Sequence, residues 1–141
     1  MKIELALKED LTEILKLQKL AYQSEARIYN DFTIPPLLQT SEQIKDDFAN
    51  QIFLKATINN IIVGSVRAHK EMDTCYIGRL IVHPDFQNQG IGTSLMNEIE
   101  TVFSNLKRYE LFTGYKSKKN LYLYQKLGYQ QFRSSASLRS P

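Results

Sequence analysis

The chain has 141 residues, 43% of them hydrophobic and 23% charged, values that fit a domain able to bury its own core without disulfides or a structural metal. A single cysteine, Cys75, excludes an intrachain disulfide, and with only His69 and His83 beside it the ligand set of a zinc finger or ribbon is missing. Eighteen Lys and Arg against fifteen Asp and Glu leave +3, too small and too dispersed a charge to argue for nucleic acid, and no apolar run approaches the roughly 20 residues that span a bilayer.

Charges at Lys2, Glu4, Lys8, Glu9, Asp10, Glu13, Lys16 and Lys19 leave no apolar core for a signal peptide, so a reducing, cytoplasmic setting is expected. No repeat or linker divides the sequence, which is read as one domain over residues 1–141. Ile3, Leu5 and Leu7 alternate with Lys2, Glu4 and Ala6 and predict an opening strand with one buried face. Asp10 and Glu13 have the spacing of a capping box, and Leu11, Ile14, Leu15 and Leu17 continue at helical spacing for about four turns. From 24 to 40, Ser24, Asn30, Asp31, Pro35 and Pro36 interrupt any helix while Ile28, Tyr29, Phe32, Ile34, Leu37 and Leu38 stay apolar, so a covering loop is expected. Thr40 or Ser41 caps a short helix carrying Ile44 and Phe48.

Ile52, Leu54 and Ala56 begin a strand, Asn59-Asn60 makes a two-residue turn, and Ile61, Val63, Val66 and Ala68 run back as the second arm of a hairpin. Cys75 to Val82 is nearly all apolar, as in a central strand covered on both faces, and ends at His83-Pro84, where His83 reads as a turn residue rather than a catalytic base. Ile91, Leu95, Ile99 and Val102 form the stripe of a third helix from about Gly90 to Phe103. Tyr109, Leu111 and Phe112 suggest another strand, Ser117 caps a fourth helix through Leu127, Gly128 ends it in the left-handed region, and Tyr129 to Arg133 can form a last strand. The order is β α α β β β α β α β, a mixed α/β fold with four helices.

Residues 80–93, Leu-Ile-Val-His-Pro-Asp-Phe-Gln-Asn-Gln-Gly-Ile-Gly-Thr, combine a buried strand, a turn and a helix that opens with two of the chain's six glycines. A helix start presents unpaired N–H groups and a partial positive charge, so this geometry suits phosphate; alternatively the glycines only permit close packing of helix on strand. The P-loop pattern fails for want of Gly-Lys-Ser/Thr, and the dinucleotide fingerprint fails at Leu95.

Gln87-x-x-Gly90-x-Gly92 after Val82-His83-Pro84 resembles the acyl-CoA signature of the GNAT superfamily of N-acetyltransferases, and Asn120-Leu-Tyr-Leu-Tyr124-Gln-Lys-Leu-Gly128-Tyr129 resembles its second hallmark. The likeness is strongest from about 61 to 130 and implies a mixed, mostly antiparallel central sheet. It implies acetyl-CoA as co-substrate, with backbone N–H groups of Gln87, Asn88, Gln89, Gly90, Ile91, Gly92 and Thr93 on the pyrophosphate and Leu80, Ile81 and Val82 pairing with the pantetheine arm. An amide on this strand would polarise the acetyl carbonyl. It also implies that Asn120 hydrogen-bonds pantetheine and that Tyr124 gives a proton to the departing thiolate, although Tyr124 also suits ordinary core and Asn120 an exposed helix. Gly78 is read as an irregularity where the strand opens. Lys116, Lys118 and Lys119 are a solvated cap or an aid to the nucleotide phosphates.

Two departures from the family pattern stand out. No carboxylate lies between Thr74 and Pro84 to serve as general base, which leaves Glu25, Glu110 or a water chain for that role. Little chain remains for a closing strand, which is therefore short, absent or supplied by a partner subunit, and its edge is one that a homodimer could cover. The fold implies that the first helices roof the acceptor site, where Glu25, Tyr29 and Phe32 suit a cationic amine as well as they suit loop packing. The expected function is acetyl transfer from acetyl-CoA to a primary amine, small molecule or peptide, by direct attack in a ternary complex, with no metal, nucleic acid or membrane involved. A CoA-binding sensor without activity is the alternative; a basic nucleic-acid or partner-binding module rests only on a pI of 8.9 and the lysines at 116 to 119.

Overall fold

A computed structural model describes residues 1–113, 117–131 and 137–140. Strand β1 (Lys2–Leu5) leads through a 3-10 turn at Lys8–Asp10 into α1 (Leu11–Ala21), α2 (Gln23–Tyr29), a single helical turn α3 (Pro35–Leu38) and α4 (Ser41–Asn50). The hairpin β2 (Ile52–Ile58) and β3 (Ile61–Glu71) is followed by β4 (Thr74–Val82), a 3-10 turn at Pro84–Phe86, α5 (Ile91–Val102), β5 (Arg108–Phe112), α6 (Lys118–Lys126), β6 (Gln130–Gln131) and β7 (Ser137–Arg139). The strands form one seven-stranded sheet in the order β1-β2-β3-β4-β5-β7-β6. Every described pairing is antiparallel except β4 with β5, as expected of a mixed, mostly antiparallel sheet.

The sheet is covered on both sides. Leu95, Met96 and Ile99 of α5, all at 0% exposure, pack with Val66, Ala68 and Cys75 on one face. On the other, Leu11, Ile14 and Leu17 of α1 and Ile44 of α4 enclose Phe53, Ile62 and Ile81. Burial of each such side chain contributes about 1.5–3 kcal/mol, so the two clusters hold the layers together. Asn59 and Asn60 adopt φ 51° and 66°, the paired left-handed residues of the hairpin turn expected from the sequence.

Three expectations are corrected. The segment after Tyr22 is not all loop: Gln23–Tyr29 is helical, and Asn30, with φ 49°, ends the helix rather than preventing it. Asp10 does not cap α1 with Glu13; its carboxylate accepts the Leu7 N–H at 2.7 Å and pairs with Lys55 at 2.7 Å. The opening alternation fails because Leu5 and Leu7 are exposed, and Ala6, whose N–H donates to the Phe53 carbonyl, reaches the core instead. Of the three alternatives for the closing strand, the structure shows the short one: β7, three residues, lies between β5 and β6 with Leu138 at 0% exposure. Of the predicted strand through Arg133, Gln130–Gln131 is observed and Arg133 lies outside the described residues.

The feature that shapes the site is in β4. It pairs with β5 only from Thr74 to Ile77, and continues to Val82 with β3 alone among the described strands. Opposite β3 the register steps from Arg67↔Gly78 to Ser65↔Ile81, so β4 carries one extra residue. Arg79 sits there at φ 51°. Gly78, expected to be the irregular residue, has no positive φ; Arg79 carries the strain instead, on the order of 1 kcal/mol for a residue with a Cβ.

Candidate active site

Where β4 and β5 part, two cavities meet. The first, about 390 Å³, lies between the end of β4, the start of α5 and one side of α6, and is lined by Leu80, Val82, Gln87, Asn88, Gly90, Ile91, Gly92, Thr93 and Asn120 among others. Nine of the eleven residues expected at a cofactor site are therefore together. Ile81 is not, because its side chain points to the α1 face at 4% exposure, and Gln89 does not line the cavity.

Local chemistry explains the shape. Gly90 holds φ 80° at the N-cap of α5, a conformation unfavourable to residues with a Cβ, and it turns the chain so that the first free N–H groups of a 12-residue helix face the cleft. At Gly92 a Cβ would come within 3.3 Å of Leu123 Cδ2 and about 3.9 Å of Val82 Cγ2, so a side chain would narrow the cleft between β4 and α6. Lys119 Nζ donates to Gln87 Oε1 at 2.7 Å and fastens α6 to the loop before α5. Lys119 and Lys126 both line the cavity. Lys118 does not, and Lys116 lies outside the described residues. His83 is a turn residue, its Nδ1 accepting the Asp85 N–H at 3.0 Å, and Cys75 is a buried apolar group whose thiol burial pushes up to about 12.

The second cavity, about 540 Å³, is roofed by α2 and α3 and floored by β4 and β5. Tyr124, Glu25 and Tyr29 line it together with Tyr22, Arg79, Phe112 and Thr113. Phe32 does not; it is 51% exposed beyond the end of α2. Leu80 and Asn120 line both cavities and so mark their junction.

Tyr124 has 6% exposure, and its hydroxyl makes no hydrogen bond to another described residue. Tyr129, with its ring 6.4 Å away, instead donates to Glu100 Oε2 at 2.9 Å and is held by the core. Burial, with the nearby Tyr22 and the Glu25 carboxylate, raises the Tyr124 hydroxyl far above the usual phenol range, so it is protonated at neutral pH. Ser117 stands at the N-cap of α6 but does not cap it; its hydroxyl donates to Glu25 Oε1, tying α2 to α6 across the cavity. Glu110, the other carboxylate considered as base, is outside the cavity beside Arg108 and Arg139.

Beneath the second cavity lies a buried polar cluster. Arg67, 3% exposed, pairs with Asp47 at 2.8 Å, stacks 4.4 Å above the Phe53 ring and donates to Gln18 Oε1. Gln18 Nε2 donates to the Pro36 carbonyl and to Gln39 Oε1, both at 2.9 Å, so α1, α3, α4 and β3 share one network under the roof. Burial lowers the Arg67 guanidinium to about 10 against the opposing pull of Asp47. Sequence reasoning missed Tyr22, Arg79, Phe112, Thr113, Lys126 and this network; the one available signal was Arg79, a charge in an otherwise apolar strand.

The sheet order, the parted strands and the cleft at a glycine-opened helix define the fold seen in solved N-acetyltransferases. The structure superposes on PaiA N-acetyltransferase from Thermoplasma acidophilum, solved with coenzyme A, with TM-score 0.84 at 15% identity, covering 99% of each chain. It superposes on a phosphinothricin acetyltransferase from Sinorhizobium meliloti, solved with AcCoA, with TM-score 0.77 at 14% identity, covering 99% of this chain and 87% of that one. Residues 11–129 match the acetyltransferase (GNAT) family, and the chain belongs to it. It is also 30% identical over 120 residues to the UPF0157 protein YqkA of Bacillus subtilis, a match covering 84% of this chain; the chain spans about a third (34%) of that relative's length. Among the described residues, no helix is long and apolar enough to cross a membrane, and no cluster of three or more His, Cys, Asp or Glu could hold a metal ion.

Proposed function

We propose that the protein transfers an acetyl group from acetyl-CoA to a primary amine by direct attack within a ternary complex. The observation that carries this is the meeting of the two cavities at Leu80 and Asn120, with a protonated Tyr124, bonded to no other described residue, on the acceptor side. The residues fit the co-substrate: the free N–H groups at the start of α5 suit a pyrophosphate, the cleft at Gly92 has no Cβ to fill it, and Lys119 and Lys126 supply positive charge.

When bound, acetyl-CoA supplies the thioester whose carbonyl carbon the amine attacks. The edge of β4 at Leu80, Ile81 and Val82 pairs with the extended pantetheine arm, Ile81 through its backbone alone, and Asn120 hydrogen-bonds the same arm. A β4 amide donates to the carbonyl oxygen as negative charge develops there. Glu25, the one carboxylate among the described cavity residues, takes the proton of the incoming ammonium, and Ser117 holds it in position. Tyr124 gives its proton to the sulfur as the carbon–sulfur bond breaks.

The test is a thermal-shift titration joined to an amine panel. Acetyl-CoA is expected to raise Tm, and at least one amine to release free thiol. A shift with no release from any amine supports a CoA-binding module instead, and no shift far above micromolar acetyl-CoA overturns the proposal.

A further inference from the structure

The acceptor cavity contains one cation and one carboxylate among its described lining residues, Arg79 and Glu25, and they are not paired with each other. Among the described residues no ion pair includes Arg79. Its charged neighbour is a second cation: Arg67 is already matched by Asp47, and Arg79 opposes its charge from above. A half-buried guanidinium with no ion pair to another described residue is unfavourable unless an anion joins it. The bulge nevertheless puts Arg79 at the cavity wall in a strained backbone conformation, where Tyr22 lines the same cavity. Glu25 and Arg79 line the same cavity, so the two charges flank one volume.

We infer that the acceptor is a small amino acid with a free carboxylate, its oxyanion held by Arg79 and its amine presented to Glu25 and Tyr124. This rests on the transferase reading above. A cavity of about 540 Å³ walled by Tyr29, Ile34 and Phe112 suits a small molecule with an apolar side chain. A polyamine or aminoglycoside would bring further cations against Arg79, and a protein N-terminus carries no carboxylate next to its amine. Arg suits the task because its planar fork binds a carboxylate through two parallel hydrogen bonds.

The experiment is acetyl-CoA-dependent thiol release with the proteinogenic amino acids, each beside its amide and its decarboxylated amine, and with spermidine. At least one amino acid is expected to exceed both of its carboxylate-free counterparts tenfold or more in kcat/KM. Arg79→Asn, an exchange that the left-handed backbone tolerates, is expected to raise KM for that amino acid at least tenfold with little change in kcat. The variant should keep the Tm shift from acetyl-CoA and should narrow the preference for the amino acid over its amide, and Arg79→Lys should recover part of the loss. Calorimetric titration of the same amino acid into CoA-bound protein should show binding to wild type that Arg79→Asn weakens in proportion. Amides, simple amines or spermidine turning over as well as or better than amino acids overturn this inference while leaving the transferase reading intact, as does an unchanged KM in Arg79→Asn. No release with any amine overturns both.

Discussion

Tyr124 and Tyr129 are chemically the same side chain on adjoining turns, and their surroundings separate them. Tyr129 donates a hydrogen bond to the Glu100 carboxylate, whereas Tyr124 lines the second cavity and its hydroxyl bonds no other described residue. Tyr124→Phe is expected to lower kcat about 100-fold, within the range for loss of a general acid. The acetyl-CoA-induced Tm shift should persist; equal turnover in the variant removes Tyr124 from the acid role. Because its pKa is raised, Tyr124 keeps its proton through the neutral range, so any loss of rate below pH 6 should come from the amine side rather than from this residue. At this scale the residues of the first cavity were legible because they are neighbours in sequence, within 80–93 and at Asn120. The residues of the second cavity were largely not, since Tyr22, Arg79 and Phe112 come together only after α2 folds over the parted strands.

The elements were legible where local chemistry decides them. Thr40 accepts the Gln43 N–H at 3.2 Å while Gln43 Oε1 accepts the Thr40 N–H at 2.9 Å, a cap visible in the letters themselves. Helix α2 was not legible because it buries only Ala26 and lacks the apolar stripe that announces α1 or α5; it is held from outside, by Ser117 reaching Glu25. Asp10 shows the same limit, as its nominal helix-capping pattern gives way to a tertiary partner. Burial alone would raise the Asp10 carboxyl, but the hydrogen bonds from Lys55 and the Leu7 N–H outweigh it and lower its pKa, while the Asp10 bond raises Lys55 against its own desolvation. A lowered carboxyl pKa contributes stability above the unfolded value of 3.8, lost as pH falls through the folded one. Lys55→Met is therefore expected to reduce unfolding free energy by about 1 kcal/mol at pH 7, with the gap narrowing below pH 3.8 in urea titrations at stepped pH. A gap independent of pH would show that the ion pair contributes nothing.

Across the whole molecule, closure of the sheet depends on β7, a three-residue strand hydrogen-bonded to β5 on one side and β6 on the other. Leu138 is its buried anchor, and Leu138→Ala is expected to cost about 2–5 kcal/mol by chemical denaturation. A loss under 1 kcal/mol would mean that the strand adds little to the sheet. The β4 bulge acts on the same scale. Before it, Cys75 and Ile77 face the α5 layer; after it, Leu80 and Val82 take that side and Ile81 turns to the α1 layer. This switch is one reason the strand reads as apolar at both parities. Deleting one residue from 78 to 80 would take out the extra position and return the strand to plain alternation, with Ile81 still opposite Ser65, Val82 still opposite Gly64, and each on its present side. What such a deletion removes is the step that carries Arg79 to the cavity wall, so the extra residue shapes the cavity rather than the sheet.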